Sequence, residues 1–188
     1  MNNFVIYVEK RPGFDVEAQA IQNELVEFLG IKTIKHVRLI NRYDVAGITR
    51  EVYEEALKTV FSEPQSDRVY EGDLPQLEGF IFMSSFVNGQ YDQRADSCMQ
   101  CIRSIDYTMM PLVKASKVYA IEGALQEKDI THIKKHLINP IESEEVALDA
   151  HDLLDTSYPI PENVKVLEGF IYLSEKALEA FRKKKALQ

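Results

Sequence analysis

The chain has 188 residues, 45% of them hydrophobic, and a formal net charge of −8; it can bury a real core in one domain of two lobes, and it lacks the basic stripe that nucleic-acid binding calls for. No apolar run approaches the roughly 20 residues that cross a bilayer, and Met1-Asn2-Asn3 has no signal-peptide character. Two cysteines do not make a disulfide framework, so no nucleic acid, no membrane and a reducing, cytoplasmic setting are expected.

In chain order, Phe4 to Val8 is a short apolar strand, and a helix follows from about Val16 to Leu29. Asp15 is placed to cap it, its carboxylate accepting from the first free amides, and Gly30 to end it. Lys32 to Arg42 alternates imperfectly and reads as a longer strand. Thr49 to Phe61 carries Val52, Ala56, Leu57 and Val60 on one helical face, and Pro64 stops the pattern. Arg68-Val69-Tyr70 reads as a short edge strand. After Gly72 and Pro75 the order begins again: a strand at Phe80 to Met83, a helix from Gln93 to Ile105, a strand near Lys114 to Ile121 and a helix near Lys128 to Leu137. Asp149 to Asn163 has two prolines and little periodicity and reads as an extended connector. Val164 to Leu173 is apolar again, and Ser174 caps a helix through Lys185. Arg182-Lys183-Lys184-Lys185 then sits where cations favour a helix C-terminus. The chain stops without a turn or tail, as a segment cut from something longer would.

The two halves therefore say the same thing. Each strand passes through a glycine, Gly13 or Gly89, to an aromatic-Asp pair, Phe14-Asp15 or Tyr91-Asp92, and into a helix. Each closes on proline, acid and serine, Glu63-Pro64-Gln65-Ser66 and Pro140-Ile141-Glu142-Ser143. A period of roughly 75 residues is too long for a solenoid and suits a duplicated small domain. The expected fold is α+β: tandem strand-helix-strand-helix-strand units forming a pseudo-dimer with packed antiparallel sheets and outer helices. Its parts are residues 1–70 and 79–148 as repeats, 71–78 as linker, 149–163 as connector, and 164–188 as the approach to a further domain.

Little of the polar chemistry assembles. Cys98-Met99-Gln100-Cys101 matches CxxC, but it lies in the second turn of a helix, away from the strand-to-helix junction that activates a thiol. Cys98 also occupies the place of Ile21 in the first copy, which makes it a small buried hydrophobe. His132 and His136 have zinc-ligand spacing, yet Lys134 and Lys135 stand between them and no third ligand is near. That pair reads as a solvated face. His36 and His151 have no visible partner. No phosphate-loop, dinucleotide or nucleophile-elbow motif occurs, so no catalytic, cofactor or metal residue is assigned.

The dense polar stretch is Gly89-Gln90-Tyr91-Asp92-Gln93-Arg94-Ala95-Asp96-Ser97, far richer than its counterpart Gly13-Phe14-Asp15-Val16-Glu17-Ala18-Gln19-Ala20. Two readings fit it. One is an Asp92 cap with solvated first-turn side chains, Asp96 favoured by the helix dipole. The other is a contact surface on which Arg94 offers a fork of donors for carboxylate or phosphate.

This stretch closely resembles the G-Q-F-D-Q-R-A-D-S run near the N-terminus of the large, single-chain phosphoribosylformylglycinamidine synthases of Firmicutes type. Val8-Glu9-Lys10-Arg11 after the first strand, Tyr43-Asp44-Val45 after the second, Phe61-Ser62-Glu63-Pro64 with Asp67-Arg68, and Leu137-Ile138-Asn139-Pro140-Ile141-Glu142-Ser143 are similar to that family in the same order. Tyr91 departs from the pattern's Phe, and Cys98 stands where a small residue is usual. The resemblance covers nearly the whole chain. It implies a parent ligase that makes formylglycinamidine ribonucleotide from its amide, ATP and glutamine in purine biosynthesis. A Cys-His-Glu glutaminase domain and a synthetase domain binding ATP and magnesium lie elsewhere in that parent, so this segment has no cofactor of its own. The segment is similar to two fused copies of the small third subunit of split versions of the enzyme. The implied role is to bridge the synthetase and glutaminase domains and help guide ammonia between them, with Gln93, Arg94, Asp96 and Ser97 facing the synthetase domain. The rival is a stand-alone small-molecule sensing or bridging module, since doubled strand-helix-strand units can bind amino acids between sheets. Free sheet edges leave room for self-association of the isolated chain.

Overall fold

The computed structural model describes residues 3–150, 154 and 170–185. Strand β1 (Phe4–Lys10) is followed by α1 (Val16–Asn23), β2 (Ile34–Ala46), α2 (Arg50–Thr59) and β3 (Asp67–Glu71). The same order returns as β4 (Phe80–Phe86), α3 (Gln93–Ile105), β5 (Leu112–Gly123), α4 (Glu127–Leu137) and β6 (Ser143–Val146). The α+β class is as the sequence predicts. The arrangement of the sheets is not. All six strands form one antiparallel sheet in the order β3-β1-β2-β5-β4-β6. The repeats meet edge to edge along β2 and β5, from Ile34–Gly123 to Ala46–Leu112, and do not stack face to face. The reason is that these two strands are long and buried. Their backbone amides need partners, and pairing with each other removes both inner edges at once.

Equivalent positions follow from the register. Ile6 pairs with Tyr43 in the first repeat and Phe82 with Tyr119 in the second. Two residues before those tyrosines stand Asn41 and Lys117, which face each other across the β2–β5 seam. Asn41 and Lys117 are thus equivalent to each other and also partners, so the pseudo-two-fold axis passes between them.

Helices α1 to α4 lie on one face, because the odd-numbered positions of β2 and β5 point there. One core joins Ile6, Tyr43, Val45, Ala56 of α2 and Ile102 of α3. The other joins Val37, Leu39, Tyr119, Leu25 and Ile133 of α4. Each core therefore combines a helix from one repeat with a helix from the other. Fully burying one such aliphatic side chain contributes about 1.5–3 kcal/mol. On the opposite face Tyr7, Ile40, Met83 and Val118 form a third cluster, with Leu74 and Leu77 of the inter-repeat linker and Leu148 and Ala150 packed against it. Arg42 and Asp44 lie on that face too, 1% and 3% exposed. Their bidentate pair has distances of 2.9 and 2.8 Å. Arg42 also donates to the Leu148 carbonyl at 3.1 Å and to that of Ala150, which satisfies a guanidinium taken out of water.

Several local expectations are corrected. Asp15 makes no side-chain cap; its carboxylate instead accepts from the Gly13 amide at 2.8 Å and the Gln19 side chain at 2.9 Å. The first helix does not run evenly to Leu29. It widens after Asn23 into one π-type turn, Glu24–Phe28, closed by the Leu29 amide on the Glu24 carbonyl at 3.2 Å. Gly30, at φ +70°, ends it as expected. Tyr43-Asp44-Val45 does not follow the second strand but lies inside it, since β2 runs on to Ala46. Asp149, Ala150 and Leu154 are described, and the rest of the 149–163 connector, with His151 and residues 164–169, lies outside the described residues.

Contacts divide the chain into two units, Met1–Thr156 and Ser157–Gln188. In the second, a single 3-10 turn, Phe170–Tyr172, precedes α5 (Glu175–Lys185), and Phe170 packs edge-on against Phe181 at 5.3 Å. Ser174 Oγ accepts from the Ala177 amide, at 3.4 Å, as the expected cap. Among the described residues no helix is long and apolar enough to cross a membrane.

Candidate functional site

The strip of sheet over the axis is polar. Its floor is Asn41 and Lys117, and its walls come from the first turns of α1 and α3. A cavity of about 260 Å³ is lined by Asn41, Ser84, Asp92, Arg94 and Lys117. Two others, of about 380 and 240 Å³, share Asn41 with it. Together they make a groove across the helical face.

Each wall has a local cause. At the start of α3, Asp92 Oδ1 accepts the Ala95 amide at 2.9 Å, while Oδ2 accepts the Ala115 amide of β5 at 3.1 Å. The second bond matters because the β4–β5 ladder ends at Ser85–Ser116, so Asp92 takes over as partner of a buried strand amide. Pinned this way, the helix points Arg94 inward. Its guanidinium donates to the Tyr43 hydroxyl at 3.2 Å. Burial pushes the Tyr43 phenol above its ordinary value, with the Arg94 charge opposing. Across the axis, Glu17 occupies the place equivalent to Arg94 and pairs with Lys117 at 2.5 Å. The buried Asn41 Oδ1 accepts no hydrogen bond among the described residues.

Of the four residues singled out in the sequence, the structure brings only Arg94 into this groove. Asp96 belongs to a surface network, accepting from the Tyr91 hydroxyl at 2.9 Å and from the Gln100 side chain at 2.7 Å. Gln93 and Ser97 are exposed, four apart on one helical face. Sequence reasoning missed Glu17, Asn41, Tyr43 and Lys117 as groove residues. The signal available was positional: the repeats carry different polar residues at equivalent places, Glu17 against Arg94 and Asn41 against Lys117.

Both Asp92 oxygens are engaged by backbone amides, which suits holding a helix in place better than moving protons. Cys98 is buried as expected, and burial pushes its thiol up to about 12, away from the thiolate a nucleophile needs. Cys101 is exposed. His136 sits on an exposed face, 3.2 Å from Glu24 and beside Phe28. Among the described residues no group of three or more His, Cys, Asp or Glu could hold a metal ion. A scan of protein-family models finds none that matches this chain, and no curated protein matches it.

Proposed function

We propose that this chain is the N-terminal structural and interaction domain of a large single-chain phosphoribosylformylglycinamidine synthase, acting in the cytoplasm and bridging the synthetase and glutaminase domains of the same parent. ATP, magnesium and the glutaminase triad belong to those other domains in this reading. The observation that carries it, beside the ordered motifs, is the symmetric strand order β3-β1-β2-β5-β4-β6 with two cores that each draw on both repeats. Two fused copies of one small subunit would be built this way. Arg94, which donates to the Tyr43 hydroxyl, is the residue of the 93–97 cluster that lines the groove.

Arg94→Ala in the full-length synthase tests the reading. Glutamine-dependent synthesis is expected to fall well below synthesis driven by free ammonia. Stability should drop by only about 1 kcal/mol, the worth of one charged hydrogen bond discounted for exposure. Normal coupled activity, or an unfolded variant, would remove Arg94 from the role. Reading the coding DNA past the codon for Gln188 tests the parent itself: an open frame of roughly a thousand codons, the scale of several further domains, is expected.

The sensing-module reading draws on the same groove, since a single sheet offers no space between sheets. A glutamine- or nucleotide-dependent rise in the melting temperature of the isolated chain is the result that would favour it.

A further inference from the structure

We propose that the outer edge of β3 is a docking site for an extended, acidic segment of a partner protein, which adds to the sheet as a seventh strand. The proposal goes beyond the bridging role and needs no part of it. β3 ends the sheet and hydrogen-bonds only to β1 among the described residues. The direction of its free groups follows from its ends. Arg11 N donates to the Ser66 carbonyl at 2.8 Å, and Gly72 N donates to the Val5 carbonyl at 2.9 Å. Bonded and non-bonded pairs alternate along an antiparallel ladder. Val69, three residues from each end, therefore turns its N–H and C=O away from β1.

A shallow groove of about 570 Å³ runs beside that edge, with half-buried Leu57 and Val69 in it and Arg11, Lys58 and Arg68 on its rim. Lys58 and Arg68 enter none of the ion pairs among the described residues, and neither does Arg11, whose Nε instead donates to the outward Asp67 carbonyl at 3.0 Å, so the open backbone of this edge begins at Val69. The remaining charge there, Asp67, is buried and already engaged by Lys10 at 2.8 Å and the Glu63 amide at 2.8 Å. The whole chain carries a net charge of −8, so this cationic rim runs against the overall balance. A second copy offering its own β3 would set like charges opposite each other. A strand carrying carboxylates on one face and an apolar side chain toward Leu57 matches the rim, the floor and the free backbone together.

The test uses the intact 188-residue chain and a fluorescein-labelled peptide of alternating glutamate and valine, followed by anisotropy up to roughly 1 mM. Saturable binding is expected. It should weaken at least tenfold, on the order of one factor of 1.4 kcal/mol, in the Lys58→Glu/Arg68→Glu double variant. Both side chains are exposed, so circular dichroism should show an unchanged fold. Binding should also disappear when the peptide amides facing β3 are N-methylated. Equal binding of a lysine-valine peptide, indifference to N-methylation, or no binding at the highest concentration would each overturn the proposal, leaving the cations as guards against edge pairing.

Discussion

Asp92→Ala is the most informative single change, because the same position in the other repeat supplies its control. Asp92 performs two tasks, capping α3 through Ala95 and completing the β5 ladder through Ala115. Losing a cap costs about 1 kcal/mol. Leaving the amide of Ala115, a residue only 6% exposed, without an acceptor costs a further ~1–3 kcal/mol. The sum is about 2–4 kcal/mol, a large share of a domain's ordinary 5–15. Asp92→Asn keeps one acceptor oxygen and should lose about half of that. Asp15→Ala removes only exposed bonds, to the Gly13 amide and the Gln19 side chain, and should cost under ~1 kcal/mol. Urea melts of the three variants, read at an unchanged slope, decide the matter. If Asp15→Ala and Asp92→Ala cost the same, the carboxylate is not a ladder partner, and the account of how α3 aims Arg94 fails with it.

Arg42→Met removes the bidentate partner of Asp44 and the donor to the Leu148 and Ala150 carbonyls; a loss of at least about 1.5–3 kcal/mol, the worth of a charged hydrogen bond, is expected, with faster proteolytic cutting near Leu148. Gly47→Ala, at φ +77° and with the new Cβ 2.1 Å from the Met110 carbonyl oxygen, should fail to give folded protein, whereas Gly72→Ala meets no neighbour and should lose only the strain of its positive φ. The raised thiol of Cys98 stabilises the fold fully below its ordinary 9.0 and loses that contribution as pH climbs toward about 12. By pH 10 the loss is on the order of 1.4 kcal/mol, so Cys98→Val should flatten the alkaline fall in stability. In the native protein a thiol reagent should label Cys101 and spare Cys98.

The sequence revealed what depends on neighbours along the chain. The helix over Gln93–Ile105 is bounded as read, because a capping Asp and an unbroken apolar stripe are local signals. The duplication was legible for the same reason. The way the repeats join was not, since β2 and β5 are buried on both faces and their residues do not reveal which edge meets which. Asn41 and Lys117 looked unrelated until the register made them partners. Asp15 and Asp92 looked identical, and only the position of the β5 amides separates them. Tyr43-Asp44-Val45 reads as the segment after a strand ending at Arg42, yet β2 runs on to Ala46, and Asp44 lies buried within it, paired with an arginine two residues earlier.

Fusion of two copies explains why the polar groove sits where it does. In a true two-fold pair, any residue near the axis faces its own twin, so a cation there meets a cation and an acid an acid. One chain holding both copies is free of that constraint. Here Glu17 in one copy neutralises Lys117 of the other at 2.5 Å, and Arg94, standing where the first copy has Glu17, is left to a neutral phenol. The two cores tolerate little comparable divergence, since each needs side chains from both repeats to fill a shared volume. Differences that survive in such a molecule therefore collect at the axis and along the outer edges. Those are the places where this protein sets Arg94 against a neutral phenol and rims a strand edge with cations.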